Sequence, residues 1–254
     1  MPFAADWTRS TRHAMDDTLL ADYIDTFYGY GNYAGRWWLV GMEEGGGNSP
    51  DEVQRRLRLW EERGRRELED VNIFDGSALG KWFQPGAPLQ STWRGLIRLL
   101  LAAQGRATDA EVVRNYQAGE LGREGGDTCL LELLPLPSPS IDDWLYGKHS
   151  SLPALRTRAV YRETVSPRRV DHLRARITEH RPAAVIFYSR AYRPWWEQIV
   201  GASFGPPMEP GLQLAWRSST LFVLTKHPAG RGIGGAYFEA AGRLLADVVR
   251  AKRA

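Results

Sequence analysis

The sequence from Thr220 to Gly235, TLFVLTKHPAGRGIGG, carries the strongest fold signal in this chain of 254 residues. Its first part is a short apolar run, which is typical of a buried β-strand. A His-Pro loop follows, and the glycine-rich stretch after it leads into an apolar pattern at helical spacing. We therefore expect a strand, a loop that presents His227, and a closing helix over 236–250. A helix N-terminus beside the histidine would favour bound negative charge.

The stretch from Trp37 to Gly47, WWLVGMEEGGG, also reads as a strand followed by a loop. This loop carries Glu43 and Glu44, whereas the loop after the last strand carries His227. Counting both, four apolar runs have the length and composition of strands that are covered on both faces. Helical patterns separate these runs, as crossovers between parallel strands require. The expected strands span 37–42, 128–134, 183–188 and 221–225.

The expected fold class is α/β, with three α/β/α layers built on a central, mainly parallel sheet of four strands. One domain is expected to span 1–254, and residues 1–35 to form a helical extension with a helix near 16–28. An extra strand over 212–216 would pair antiparallel with the last one. The expected helices cover 51–69, 91–103, 167–180 and 236–250, and the expected irregular loops cover 71–90, 135–152 and 204–210.

Composition indicates the class of protein and its setting. With 43% hydrophobic residues the chain can bury a sizeable core. No run approaches the roughly 20 apolar residues of a membrane span, and the N-terminus lacks the pattern of a secretory signal. The one cysteine, Cys129, cannot form an internal disulfide, so we expect a cytoplasmic protein, and also a monomer without membrane association. The net charge of +3 permits nucleic-acid binding without demonstrating it.

Titratable residues follow several of the expected strands. Ligands of open α/β sheets bind beyond the carboxyl ends of the strands, and here those ends bring together Glu43, Glu44, Glu132, Lys226 and His227. Glu132 stands inside an apolar run, where an unpaired carboxylate is costly, and this favours a functional role. The pattern indicates a site that combines carboxylate and histidine side chains.

In order and spacing, these segments resemble the uracil-DNA glycosylase superfamily over roughly residues 37–250. GMEEG at 41–45 resembles the family's first signature, a Gly-x-(Asp/Asn/Glu)-Pro-type loop, and LTKHPA at 224–229 resembles its last, a His-Pro-Ser-type loop. LLELLP at 130–135 lies where the family has the strand that bears a base-reading asparagine, and AVIFY at 184–188 matches the third strand. The four segments in this order are a more specific signal than any one of them alone.

The resemblance implies a DNA glycosylase of DNA repair, which flips a damaged or deaminated base such as uracil out of DNA and hydrolyses its N-glycosidic bond. Glu43 would position water or stabilise the sugar cation, and His227 would hydrogen-bond the leaving base. Glu132 takes the place of the base-reading residue, while Trp82 or Phe83 would stack on the base. The residues expected to contact DNA are Gly45, Gly46, Gly47, Lys226 and the wedge residue Arg231.

Two residues depart from the family pattern. Glu44 replaces the usual proline and adds a charge beside Glu43, so one of the two pKa values should rise. Glu132 replaces the asparagine. An ionised carboxylate accepts hydrogen bonds but donates none, so Glu132 suits an exocyclic amine better than uracil unless it is protonated. No cofactor and no metal are expected, because both charges of the transition state have protein partners.

Three alternatives compete with this interpretation. GRGIGG at 230–235 matches a dinucleotide-binding fingerprint, but too few residues follow it to form the required strand, so we reject that function. A metal-dependent phosphoesterase would gather Glu43, Glu44 and Glu132 around a divalent cation, with Asp142 or its neighbour. A catalytically inactive nucleic-acid-binding protein would keep the fold without the chemistry.

Overall fold

The computed structural model describes residues 15–72, 80–84 and 86–253. Within these ranges the chain forms a seven-stranded sheet and eight α-helices, which confirms the expected α/β class. None of the described helices is both long and apolar enough to cross a membrane. The strands are β1 Gly29–Gly31, β2 Trp37–Glu43, β3 Leu68–Glu69, β4 Thr128–Leu134, β5 Ala184–Tyr188, β6 Gln213–Arg217 and β7 Thr220–Thr225.

The helices alternate with the central strands along the chain. They are α1 Asp17–Thr26, α2 Pro50–Glu62, α3 Ser91–Ala103, α4 Ala110–Gly119, α5 Tyr146–His149, α6 Arg158–His180, α7 Arg193–Val200 and α8 Gly235–Arg253. Of the loop expected over 71–90, residues 73–79 and 85 lie outside the described residues, and a short 3₁₀ segment covers Gly80–Trp82.

The four strands expected from the sequence form the centre of the sheet, and neighbouring central strands are parallel. The order of the described sheet is β3-β1-β4-β2-β5-β7-β6. β1 runs antiparallel to β4 and β6 runs antiparallel to β7, so the sheet is mixed, and it is larger than the four strands expected. The strand expected over 212–216 is confirmed as β6. β1 lies within the expected helical extension, and β3 lies within the helix expected over 51–69, which ends at Glu62, so both expectations are wrong there. Three and two residues are too few to show the period of a strand.

The central strands are buried on both faces, as their continuous apolar runs predict. From Trp37 to Met42 every residue of β2 is buried, and only Glu43 at its end is partly exposed. In the parallel register, Gly41 of β2 lies opposite Glu132 of β4. The carboxyl ends of the four central strands therefore meet at one edge of the sheet, and their polar residues meet with them.

Helices α3 and α8 approach closely because glycines remove side chains from their contact. A Cβ at Gly95 would lie 2.9 Å from the ring of Phe238, and a Cβ at Gly242 would lie 2.3 Å from the backbone oxygen of Leu99. The same Gly95 position would be 3.0 Å from Pro228, in the loop after β7. The helix pair therefore fixes the loop that carries His227.

Helix α6 begins nine residues earlier than expected. The prediction started it at Pro167, just before the apolar stripe of Val170, Leu173 and Ile177. The observed N-terminus is capped instead by Thr157, whose side chain accepts the backbone N–H of Val160, and Pro167 lies inside the helix. An interior proline costs about 3 kcal/mol. Burial of α6 side chains such as Tyr161 and Val165 offsets that cost.

Helix α1 confirms the N-terminal helix expected near 16–28. Its cap residue, Asp16, accepts the backbone N–H of Leu19 at 3.0 Å. Asp17 accepts hydrogen bonds from Ser150 and Ser151 and so ties α1 to the segment after α5. The rest of the expected extension before Met15 lies outside the described residues.

Candidate active site

A cleft of about 610 Å³ opens at the carboxyl ends of β2, β4, β5 and β7. Its walls come from the ends of these strands, from the loops that follow them and from the segment that leads into α3. The predicted site residues that line it are Glu43, Gly45, Gly46, Trp82, Glu132 and His227. Glu43 and His227 therefore share one cavity, which is the arrangement that the expected chemistry requires.

Four predicted residues do not line this cleft. Phe83 is buried, so only Trp82 remains of the two stacking candidates. A Cβ on Gly47 would lie 2.6 Å from a backbone oxygen of the loop after β4, so Gly47 allows the loop after β2 to pack closely against the loop after β4. Lys226 and Arg231 flank His227 on the same loop, and Arg231 is exposed. The structure thus separates the wall of the cleft from a basic rim.

Glu43 is held by Arg158, the first residue of α6. Nη1 of Arg158 contacts both carboxylate oxygens, at 2.6 Å from Oε2. Nη2 donates to the hydroxyl of Ser138 and to the backbone oxygens of Ser140 and Asp143, the last two at 2.7 and 2.8 Å. Burial raises the pKa of Glu43, while the Arg158 cation opposes the rise. The carboxylate therefore has a fixed position and a compensating charge.

Glu44 enters a separate ion pair with helix α2. Its two oxygens accept hydrogen bonds from Arg56 at 2.6 and 3.2 Å, and Oε2 also accepts the hydroxyl of Tyr30 at 2.9 Å. One of the two adjacent carboxylates, Glu43, has a raised pKa as expected, but the charge of the other is not the cause. Burial is the main cause of the rise, because Arg56 neutralises the neighbouring carboxylate.

Glu132 contributes a carboxyl group with one satisfied and one unsatisfied oxygen. Oε1 accepts the hydroxyl of Tyr188 at 2.8 Å, while Oε2 is shielded from solvent and has no hydrogen-bond partner among the described residues. Burial raises the pKa of Glu132 to about 8; the Tyr188 hydrogen bond opposes the rise, and the charges of Glu44 and Glu43 add to it. The group is therefore largely a neutral carboxylic acid at pH 7.

His227 is held in one tautomer by its own loop. Its Nδ1 accepts the backbone N–H of Ala229 at 3.1 Å. In the neutral ring this hydrogen bond places the proton on Nε2, which becomes a donor. Loss of hydration lowers the pKa of His227, so the neutral form prevails at pH 7. Tyr188 lies edge-on to this ring, 5.9 Å between centroids, and so connects His227 with Glu132.

Several features of the cleft escape sequence analysis. Tyr188 and Arg158 bind the cleft carboxylates from 56 and 115 residues away, too far for any local pattern to reveal. Ser189 has a φ of 96°, which is strained for a residue other than glycine and recurs at functional sites. Ile141 also lines the cleft and is 67% exposed. The one local signal was the polar Tyr188 at the end of a buried strand.

Among the described residues, no group of three or more His, Cys, Asp or Glu side chains is arranged to hold a metal ion. Comparison with protein-family models gave no match for this chain, and comparison with curated proteins gave none either. The relationship to uracil-DNA glycosylases accordingly stays a prediction from the sequence motifs.

Proposed function

We propose that this protein is a DNA glycosylase that hydrolyses the N-glycosidic bond of a damaged or deaminated base. The observation that carries the proposal is the shared cleft of Glu43 and His227 at the carboxyl edge of the central strands. Hydrolysis adds water across the C1′–N bond: C1′ receives the hydroxyl, and the base leaves with the bonding electrons and is then protonated. Positive charge develops on the sugar and negative charge on the base.

His227 supplies the donor for the leaving base. Its neutral ring carries the proton on Nε2, because Nδ1 is occupied by the N–H of Ala229. A preorganised donor of this kind stabilises a developing anion, and removal of one such donor costs about 100- to 1000-fold in rate.

Glu43 supplies the negative charge for the sugar cation. Because Arg158 contacts both of its oxygens, the carboxylate is better suited to electrostatic stabilisation and to orienting water than to taking up a proton freely. The same ion pair supports the second candidate function, a nucleic-acid-binding protein without catalysis, since Arg158 already compensates the charge of Glu43. A metal-dependent phosphoesterase has less support, because both Glu43 and Glu44 are paired with arginine.

The surroundings of the cleft are consistent with nucleic acid as the partner. Lys81 and Trp82 line the cleft together, with the ammonium 4.9 Å from the indole ring, and an aromatic ring in this place can stack on a base. The exposed Ile141 offers an apolar surface to an unstacked neighbour. Lys226 and Arg231 would contact phosphates at the rim. The proposal includes the three-layer uracil-DNA glycosylase-like form of the α/β fold and a monomer acting in the cytoplasm.

The test is base release from oligonucleotides that contain uracil, hypoxanthine, xanthine or an alkylated base, read as abasic sites. We expect release by the parent protein, a 100- to 1000-fold loss in His227→Ala with DNA binding retained, and a clear loss in Glu43→Gln. His149→Ala is the matched control, because His149 does not line the cleft. A chelator should leave release unchanged. DNA binding without release of any base would favour the non-catalytic candidate.

A further inference from the structure

Arg158 occupies a position that is unfavourable for a cation. It is the first residue of α6, directly after the cap residue Thr157, and its side chain is only 12% exposed. Because the N-terminus of a helix carries partial positive charge, a carboxylate is favoured there and an arginine is disfavoured. Burial of a charge adds a further cost unless the charge is paired. The arginine therefore requires compensating contacts, and the residues behind the cleft wall supply them.

The guanidinium of Arg158 joins Glu43 to the loop after β4. On one side, Nη1 contacts both oxygens of the Glu43 carboxylate. On the other side, Nη2 donates to the backbone oxygens of Ser140 and Asp143 and to the hydroxyl of Ser138. That hydroxyl contacts the same two backbone oxygens, at 2.9 Å each, so the loop closes around the guanidinium. The loop therefore fixes the arginine, and the arginine fixes the carboxylate.

These contacts make Arg158 unsuited to binding DNA itself. Both terminal nitrogens are occupied within the protein, and Nε is buried without a hydrogen-bond partner among the described residues. The guanidinium carbon also lies over the ring of Trp144, 5.1 Å from its centre. A move toward a phosphate would break the ion pair with Glu43 and the loop hydrogen bonds together. The geometry favours an action on Glu43 over an action on the substrate.

Two arginines of α6 oppose the protonation of Glu43, and Arg158 is the stronger. Burial raises the pKa of Glu43, and Arg158 opposes the rise both by its charge and by its hydrogen bonds. Arg162, one helical turn further along, opposes it by charge alone and lies over the ring of Tyr192. A carboxylate as buried as this one would take up a proton more readily without its hydrogen-bonded cation.

Several titratable groups line the same cleft as Glu43 or interact with its charge. They include Glu44, Lys81, Glu132, Tyr146, Tyr161 and His227. Arg56 neutralises Glu44, and burial keeps Glu132 and the two tyrosines in their neutral acid forms at pH 7. His227 is neutral as well, and Lys81 lies over the ring of Trp82. The ionisation of Glu43 therefore depends chiefly on the arginines of α6.

Resting on the proposed function, we infer that Arg158 is a positioning residue, which holds Glu43 as an oriented carboxylate beside the sugar while itself contacting no substrate. Without the ion pair the buried side chain would be protonated at a higher pH and would lose its charge altogether. The ion pair is thus a condition for the action of Glu43 on the sugar cation, although it compensates part of the charge.

The deciding measurement is the pH dependence of single-turnover release, between about pH 5 and pH 8, of the base that the parent protein releases fastest. In the parent, release should fall at low pH as Glu43 is protonated. In Arg158→Gln this acid limb should move to higher pH, because the pKa of Glu43 rises further. The variant should be slower by about tenfold or more at pH 6 and recover toward pH 8. Arg158→Lys keeps the charge without the planar fork, so its acid limb should move the same way by less.

A double substitution separates an action through Glu43 from a general effect on folding. Adding Arg158→Gln to Glu43→Gln should change the release rate by less than about threefold, since the group on which Arg158 acts is already gone. The DNA affinity of Arg158→Gln should stay within about threefold of the parent. Arg156→Gln removes an exposed arginine two residues earlier and should follow the parent at every pH. An unmoved acid limb in both Arg158 variants, or a further large loss in the double variant, would overturn the inference and leave the glycosylase proposal intact.

Failure of the glycosylase proposal itself has a different signature, which is a parent protein that releases no base at all. Titration of the Glu43 carboxyl by carbon NMR, assigned with Glu43→Gln, then decides the role of Arg158. The pKa of Glu43 should be higher in Arg158→Gln than in the parent, because burial is then opposed only by Arg162, and it should be unchanged in Arg156→Gln. The same pKa in Arg158→Gln and in the parent would refute the role of Arg158.

Discussion

At the scale of single residues, the packing of the cleft wall requires a glycine at position 41, because a side chain there would have no room. Its Cβ would overlap the Tyr188 hydroxyl and the Glu132 carboxyl, which are the ends of two side chains rather than backbone. Gly41→Ala should therefore break the Tyr188–Glu132 hydrogen bond at a moderate cost, about 1–3 kcal/mol in the free energy of unfolding. We expect base release to fall at least tenfold, measured beside urea unfolding of the same preparation.

Gly125→Ala is the control, because Gly125 does not line the cleft and a Cβ there meets no atom within 4 Å. It should leave both the release rate and the unfolding free energy near those of the parent. Similar effects of the two substitutions would mean that the space beside Glu132 has no special role.

At this scale, a site residue can be predicted from the sequence where its position follows directly from its place on a strand. Glu43 and His227 each follow a strand, and the structure brings both to one cleft. A site residue whose chemistry depends on partners from distant segments cannot be predicted in this way. The pKa of Glu132 depends on burial and on Tyr188, and the pKa of Glu43 depends on burial and on Arg158. Neither Tyr188 nor Arg158 is close in sequence to the glutamate that it contacts.

At the scale of elements, a partly buried polar cluster joins the segment before β3 to helix α6. Glu67 accepts the hydroxyl of Tyr33 at 2.6 Å and a guanidinium N–H of Arg176 at 2.8 Å, and it contacts the ring of His172. Burial alone would raise the pKa of Glu67, but these hydrogen bonds outweigh it and lower the pKa to about 2. The edge strand β3 is only two residues long, so this cluster is a main attachment of its segment.

Because the folded-state pKa of Glu67 is lowered, its contribution to stability is complete above the unfolded pKa of about 4.5 and is lost as the pH falls toward 2. The shift corresponds to roughly 3 kcal/mol, which we reduce to about 2 kcal/mol because the carboxylate is 25% exposed. Glu67→Gln should lower the unfolding free energy by about that amount at pH 7, and the difference from the parent should shrink by pH 3.

Glu179→Gln is the control for this measurement. Glu179 accepts from the same Arg176 at 2.9 Å, but its side chain is 58% exposed, and a surface pair contributes at most about 1 kcal/mol. An equal loss in both variants would show that the arginine contact, and not the Glu67 cluster, stabilises the protein.

The sequence predicts elements well where apolar periodicity is long and uninterrupted. Helix α3 has the bounds expected for it, and the four central strands agree within one or two residues. Helices α4 and α7 escape notice because they are short, ten and eight residues, and lie among polar loops. The start of α6 is misplaced because a proline is unfavourable inside a helix, whereas tertiary burial keeps the helix intact through Pro167.

At the scale of the whole molecule, the parallel central strands place all their carboxyl ends on one side of the sheet and all their amino ends on the other. Its carboxyl end carries the cleft, with Lys226 and Arg231 at the rim. At the amino ends of β2 and β5 a second groove, lined by Arg36 and Arg243 among others, also presents cationic side chains. Net charge is only +3, so under the proposed function the position of the cations, and not their total number, decides where DNA binds.

Phosphate contacts by Lys226 and Arg231 would make the affinity for DNA depend on salt. Each phosphate contact that a cation makes adds about −0.9 to the slope of log K against log salt concentration for duplex DNA. Lys226→Gln and Arg231→Gln should each make the slope less negative by about 1 and weaken binding alike for all sequences, measured by fluorescence anisotropy from 50 to roughly 300 mM salt. Arg243→Gln is the matched control at the opposite end of the sheet and should leave the slope unchanged. If Arg243→Gln alone reduces the slope, DNA binds at the amino end, and because the cleft then lies at the wrong end of the sheet to receive a flipped base, the glycosylase proposal fails with it.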